Sequence, residues 1–209
     1  MNFKEIRNEI LVIILASVII ALTISLKNYS LIIYALISFL IIITINIIVK
    51  KIIAYYLEAD LRTKLWSIYQ YGFRKSSHFK IPLPMVWLPI VIGFLTRGYF
   101  WWLGILEFDV EPRTERVSRR HGLYRFSEIT EWHLAVIATF GIIANLIIAI
   151  IGYLTGFEQF ARFSIYFAAW NLIPLSSLDG SKIFFGSKAL WGIITIITAI
   201  FLGYALLVV

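Results

Sequence analysis

The sequence predicts an all-α polytopic membrane protein with five to six transmembrane helices, a re-entrant segment and a small β-hairpin. Three observations predict it. Of 209 residues, 60% are hydrophobic and only 15% are charged, where soluble domains carry about 25%. Mean hydropathy is +0.86. Several stretches approach the roughly 20 apolar residues that cross a bilayer. The same numbers exclude an ordinary water-soluble globule. There are no cysteines, which excludes disulfides and thiolate metal sites.

The elements follow in order. Residues 10–26 (ILVIILASVIIALTISL) form a first apolar span and residues 31–49 (LIIYALISFLIIITINIIV) a second. No cleavable leader is expected, because the first run lacks a small-residue cleavage site. The second span is expected to continue as a helix past Lys50 and Lys51 through residue 72, since no Pro or Gly precedes Gly72. Residues 82–106 are apolar but broken by Pro82, Pro84, Pro89, Gly93, Gly98 and Gly104. The patches ILEFDVEP and GLYRFSEI, on either side of an Arg-rich loop, predict short strands. Further spans are expected at about 132–154, 158–175 and 189–208. The whole chain forms a single membrane domain, with no linker, repeat or low-complexity tract.

Charge sets the expected orientation. Lys50, Lys51, Arg62, Lys64, Arg74, Lys75 and Lys80 follow the second span, whereas the first loop offers only Lys27. Basic loops stay cytoplasmic, so the N-terminus is expected inside, in a multi-pass cell membrane protein, of the prokaryotic plasma membrane kind. If residues 82–106 dip in and return, Arg113, Arg116, Arg119, Arg120 and Arg125 also lie inside. A full sixth span would put them outside. Broken backbone is tolerated at membrane depth where protein covers it, which favours the dip.

The stretch NLIPLSSLDG, residues 171–180, collects Asn171, Pro174, Asp179 and Gly180 at the end of an apolar run. Intramembrane ionisable groups are costly and tend to have a function. The spacing fits N-x-x-P-x-x-x-x-D-G, and ATFGIIANLIIAI, residues 138–150, places Gly141 and Asn145 upstream. In these motifs the chain resembles the site-2 proteases, intramembrane zinc metalloproteases of M50 type, over about residues 35–185. The spans at 10–26 and 189–208 lie outside that core. The resemblance implies that Asp179 descends from a zinc ligand. It also implies that Gly141, Asn145, Asn171 and Pro174 belong to a surface that grips substrate or partner.

The resemblance also calls for H-E-x-x-H on an earlier helix, two histidines four apart with a glutamate that activates the metal-bound water. The chain has only His78, His121 and His133, and none forms that motif. Counting back from Gly72 along DLRTKLWSIYQYG puts Asp60 in the first histidine place, Leu61 in the glutamate place and Lys64 in the second histidine place. A second register, LEADL at 57–61, keeps Glu58 but leaves leucines as ligands. Neither register holds a metal, so no catalytic residue and no zinc are expected. Lys64 is then expected to pair with Asp179, because a carboxylate that has lost its metal needs another cation.

Other features have plain readings. The histidines read as interfacial side chains. YFWWLG, residues 99–104, reads as an aromatic belt, and RVSRR, residues 116–120, as a loop facing anionic lipid. No nucleic-acid recognition fold accompanies the basic charge. The expected function is that of a pseudoprotease that binds or scaffolds another membrane protein, surrounded by membrane lipids. An active protease using Glu58, Asp60 and Asp179, and a packing subunit of a larger membrane complex, are the alternatives.

Overall fold

The computed structural model describes residues 3–70, 78–113 and 129–207. Helix α1 (Phe3–Ser25) and helix α2 (Ile32–Tyr56) are joined by one 3-10 turn, Tyr29–Leu31, whose start is capped by Asn28. Strands β1 (Ala59–Leu65), β2 (Ser67–Gln70) and β3 (His78–Pro84) come next, then helix α3 (Trp87–Leu95) and strand β4 (Leu106–Pro112). Helices α4 (Glu131–Leu154), α5 (Glu158–Leu172), α6 (Asp179–Gly186) and α7 (Lys188–Leu207) complete the chain. Among the described residues four helical stretches are long and apolar enough to cross a membrane: Ile6–Ser25, Tyr29–Tyr56, Glu131–Leu154 and Lys188–Leu207.

The expected span at 158–175 is shorter than the sequence suggests. Helix α5 has 15 residues, about 22 Å at 1.5 Å each, against a hydrocarbon core of about 30 Å. Pro174 helps to end it, since proline cannot continue the hydrogen-bonded ladder.

The second span does not run on to residue 72. Leu57 caps α2, and Glu58 takes a left-handed conformation, φ 55°, the turn that commonly ends helices. From there the chain reads with period two. Ala59, Leu61 and Thr63 are buried while Asp60, Arg62 and Lys64 are exposed, a half-buried strand rather than a helix face. Strand β4 pairs with β1, antiparallel, from Ala59 opposite Pro112 to Leu65 opposite Leu106. The hairpin expected across the Arg-rich loop is therefore replaced, on its first arm, by this longer-range pairing. Its second arm, residues 121–128, lies outside the described residues, as do His121 and the RVSRR run. A second two-stranded sheet joins β2 to β3.

The segment 82–106 goes out and comes back. Helix α3 has nine residues, far too few to cross. It runs along α1, where a Cβ on Gly93 would sit 3.3 Å from Thr23. The chain then reverses at Arg97 and Gly98, both at positive φ. A Cβ on Gly98 would approach the Lys27 backbone nitrogen to 3.1 Å, so only glycine fits this turn. Trp101–Ile105 return through the core, and β4 ends beside Tyr55, where the Arg113 guanidinium lies 4.6 Å from the ring centroid. The aromatic run is thus only half a belt. Tyr99 and Phe100 are exposed, but Trp101 packs on Phe163 and Trp102 stacks between Trp66 and Trp170.

These contacts sort the elements by bundle end. Lys51 pairs with Glu9, so the start of α1 and the close of α2 share one end. Arg113 and the start of α4 are there too, since Asn46 of α2 meets Gly141 of α4. Trp191 at the start of α7 donates to the Leu172 carbonyl at 3.1 Å. Tyr153 and Tyr204 meet at the opposite end, with ring centroids 5.4 Å apart, as Lys27 and Tyr99 do. The core lies between the helices, around Phe39, Ile42, Phe163 and Phe167 on one side and Leu61, Phe108, Ile137 and Ile142 on the other. Leu11, Ile14, Ile33 and Ile37 remain half or more exposed or nearly so, a large outward apolar surface that suits a bilayer.

Candidate functional site

Asp179 is the first residue of α6 and is 1% exposed. Its carboxylate benefits from the free N–H groups of that helix start. Its partner is Lys50 of α2, whose ammonium lies 2.5 Å from Asp179 Oδ2 and which is itself only 6% exposed. One turn earlier on the same face, Asn46 donates through Nδ2 to the Gly141 carbonyl at 2.9 Å. Gly141 makes this approach possible. A Cβ there would sit 2.4 Å from Lys50 Cε and 3.0 Å from Asn46 Nδ2. Gly180 does the same for α6, where a Cβ would meet the Leu172 carbonyl oxygen at 2.1 Å. The Asp-Gly pair therefore has two separable jobs: the aspartate supplies charge and the glycine lets α6 close on the end of α5.

A second ammonium joins the cluster. Lys182, one turn after Asp179, donates to the Phe108 carbonyl and sits 3.6 Å from the Phe108 ring centroid. Lys50 lies 4.9 Å from the same ring. The ring is flanked by two cations, an arrangement worth more when desolvated. Burial holds the Lys182 amine down at about 8, against 10.5 in the open. Asp179 opposes this by attraction, and Lys50 adds to it by repulsion. Glu107, 5% exposed, accepts from Ser67 Oγ at 3.2 Å and from Ser177 Oγ. The loop after α5 is so tied to β4. Two carboxylates and two ammonium groups balance the local charge.

The other sequence-predicted residues do not assemble here. Lys64 is on the exposed face of β1 and pairs with Asp109, not Asp179. Asp60 pairs with Arg113 at 2.7 Å. Leu61 points into the core beside Ala54 and Phe108. The strand explains all three: successive residues face opposite ways, so Asp60 and Lys64, four apart, share the outer face while Leu61 faces the core. The helix register from Gly72 is thereby overturned, and Glu58, Asp60 and Asp179 do not converge.

Gly141 belongs to the cluster. Asn145, 0% exposed, is one turn further along α4, and its amide atoms have no hydrogen-bond partner among the described residues. Asn171 is buried and donates to the Phe167 carbonyl at 2.9 Å on its own helix. Pro174 is exposed and lines a cavity of about 200 Å³ with Trp191 and Thr198. His133 closes a capping box with Thr130 at the start of α4.

Sequence reasoning missed Asn46 and Lys50. The signal was NIIVK at 46–50, two polar residues four apart inside an apolar span. Lys50 counts in the sequence only as one of the basic residues that follow the second span, although an asparagine one turn earlier marks a polar face. In chemical terms the cluster is a poor metal site. Among the described residues no three His, Cys, Asp or Glu side chains come together. Of its two carboxylates Asp179 already carries a lysine and Glu107 accepts from two serines, and the ammonium groups oppose a further cation. The arrangement can bind helices to one another and can hold charge in a dry place. In comparisons with known proteins, no family model, no curated protein and no solved structure matches this chain.

Proposed function

We propose that the chain is a non-catalytic relative of the site-2 proteases, a pseudoprotease that binds or scaffolds another membrane protein. The observation that carries the reading is the Lys50–Asp179 ion pair. In the resembled motif two histidines four apart on one helix and an aspartate from a later one hold zinc. Asn46 and Lys50 are four apart on α2, and Lys50 meets Asp179. Asn46 and Lys50 then hold the histidine places, and Ile47 the place of the water-activating glutamate. The positive charge of the metal is replaced by an ammonium, and the group that would activate water is absent.

Gripping without cutting needs only the remaining parts. The paired strands β1 and β4 lie beside the cluster, and an extended segment can add to a strand edge through main-chain bonds. The end of the bundle holding Lys51 and Arg113 is assigned to the cytoplasm by its basic residues, with α7 ending outside. Metal analysis of the purified protein tests the reading. Far less than one zinc per chain is expected, with no change in thermal stability on adding a chelator. Stoichiometric zinc that survives dialysis and disappears in Asp179→Ala contradicts it.

A further inference from the structure

Two turns meet at the end of the bundle away from Asp179. Helix α1 stops at Ser25 and α3 at Leu95, and each is followed two residues on by a cation, Lys27 and Arg97. A Cβ on Gly98 would lie 3.1 Å from the Lys27 backbone nitrogen, so the missing side chain lets the two turns close on each other. The Lys27 ammonium lies 4.4 Å from the centroid of the Tyr99 ring. Both cations are exposed. Among the described residues the Arg97 side chain makes no hydrogen bond, ion pair or ring contact, and the Lys27 ammonium has only the Tyr99 face. Arg97 also holds a left-handed backbone, φ 51°, which asparagine or glycine adopts more readily. The turn by itself therefore does not call for an arginine.

The surroundings restrict what the two cations can hold. Each helix C-terminus carries about half a negative charge, so the two ends offset about one of the two positive charges. The remainder, about one positive charge, matches a single phosphodiester. On the helix side of the cations α3 turns Phe94 and Leu95 outward, 67% and 79% exposed. Charge thus stands directly above apolar surface, at the close of the apolar stretch Ile6–Ser25. A soluble anion would leave that apolar step bare. A phospholipid has the same order, phosphate above acyl chain. A choline headgroup brings its own positive charge and leaves none of the phosphate's for the pair, whereas a glycerol headgroup leaves it whole.

We propose that this pair of turns binds the phosphate of an anionic glycerophospholipid. The phosphate lies between the Lys27 ammonium and the Arg97 guanidinium, which both donate to its oxygens, and an acyl chain runs past Leu95 and Phe94. The contact fixes the tip of the returning segment 82–106 at the membrane surface, at the end remote from the Lys50–Asp179 pair.

Photocrosslinking of the full chain in phosphatidylcholine bilayers tests this. The probes are phosphatidylglycerol and phosphatidylcholine with the same photoactivatable acyl chain, each at the same small fraction, and adducts are placed by peptide mass. Reading adducts on residues 87–101 alone keeps the basic residues of the other bundle end out of the result. Phosphatidylglycerol is expected to label this segment roughly tenfold or more above phosphatidylcholine. Lys27→Gln and Arg97→Asn should each lower its labelling about fivefold, as the attraction of one basic residue for an anionic lipid surface implies. Asparagine suits the left-handed turn, so Arg97→Asn should lose labelling without losing thermal stability, which separates charge from folding. The double variant should be labelled alike by both probes. Undiminished labelling when inorganic phosphate replaces chloride at equal ionic strength identifies the lipid, whereas loss of labelling would make the ligand a soluble phosphate and overturn the lipid assignment. Equal labelling of the unaltered chain by both probes, or a preference that survives in the double variant, would overturn the proposal.

Discussion

Lys50 sits in a place where a lysine has no cheap alternative. It is 6% exposed on a largely apolar helix, and Asp179 is its partner. Removing one member of such a pair leaves the other charge buried and costs roughly 3–5 kcal/mol, whereas an exposed pair is worth about 0–1. Lys50→Met is therefore expected to lower stability strongly in a detergent unfolding assay. Lys50→Met with Asp179→Leu should recover most of the loss, because an apolar pair can replace a buried ionic one. Lys64→Ala, which removes an exposed pair with Asp109, should change stability little. A Lys64 effect as large as that of Lys50 would contradict the assignment.

Lys182 gives a pH dependence of definite sign. Its amine is held at about 8 in the fold and returns to 10.5 on unfolding. Below pH 8 it is charged in both states, and the fold bears the full burial cost. Between about 8 and 10.5 the unfolded chain binds more protons, so stability rises with pH. The gain is roughly 3 kcal/mol at 1.36 kcal/mol per unit. Unfolding curves of the unaltered chain and of Lys182→Met, compared from pH 7 to 10.5, should differ by this slope. Parallel curves would show that Lys182 is not buried as described.

At the scale of elements, the apolar runs were legible because membrane helices announce themselves by length and composition. The strands were only partly so. ADLRTKL alternates in polarity, yet the absence of Pro and Gly favoured a continued helix, and the left-handed turn at Glu58 had no glycine to mark it. The pairing of β1 with β4 joins residues some 50 positions apart, a long-range choice that local pattern does not encode. Asp179 was recognisable from its spacing, but its partner was sought on the wrong element. Once β1 replaces the helix, Lys64 faces outward and the nearest buried cation on α2 is Lys50. Residues 82–106 leave beside Ser67 and return beside Leu65, a course in keeping with their Pro and Gly content. The chain comes back to its entry point because Ala59 pairs with Pro112.

That path fixes an expected arrangement of the whole molecule. Arg113 and Lys51 share one end of the bundle, and α7 finishes at the other with Tyr204 against Tyr153. Single cysteines at Arg113 and Leu207 are therefore expected to react with membrane-impermeant reagents from opposite sides, that at 113 from the cytoplasmic side. Reaction of both from the same side would remove the re-entrant path.

The central claim is that α2 presents residues 46 and 50 to Asp179 in the places of two metal-binding histidines. Zinc titration of the variant Asn46→His, Lys50→His tests it most directly. It removes the ammonium and supplies two imidazoles four apart on the face that meets Asp179, the three protein ligands of an open zinc site. The account predicts about one tightly held zinc per chain, accompanied by a rise in thermal stability. Both should be lost when Asp179→Ala is added. A folded double variant that takes up no more zinc than the unaltered chain, or one whose zinc is indifferent to Asp179→Ala, would contradict it.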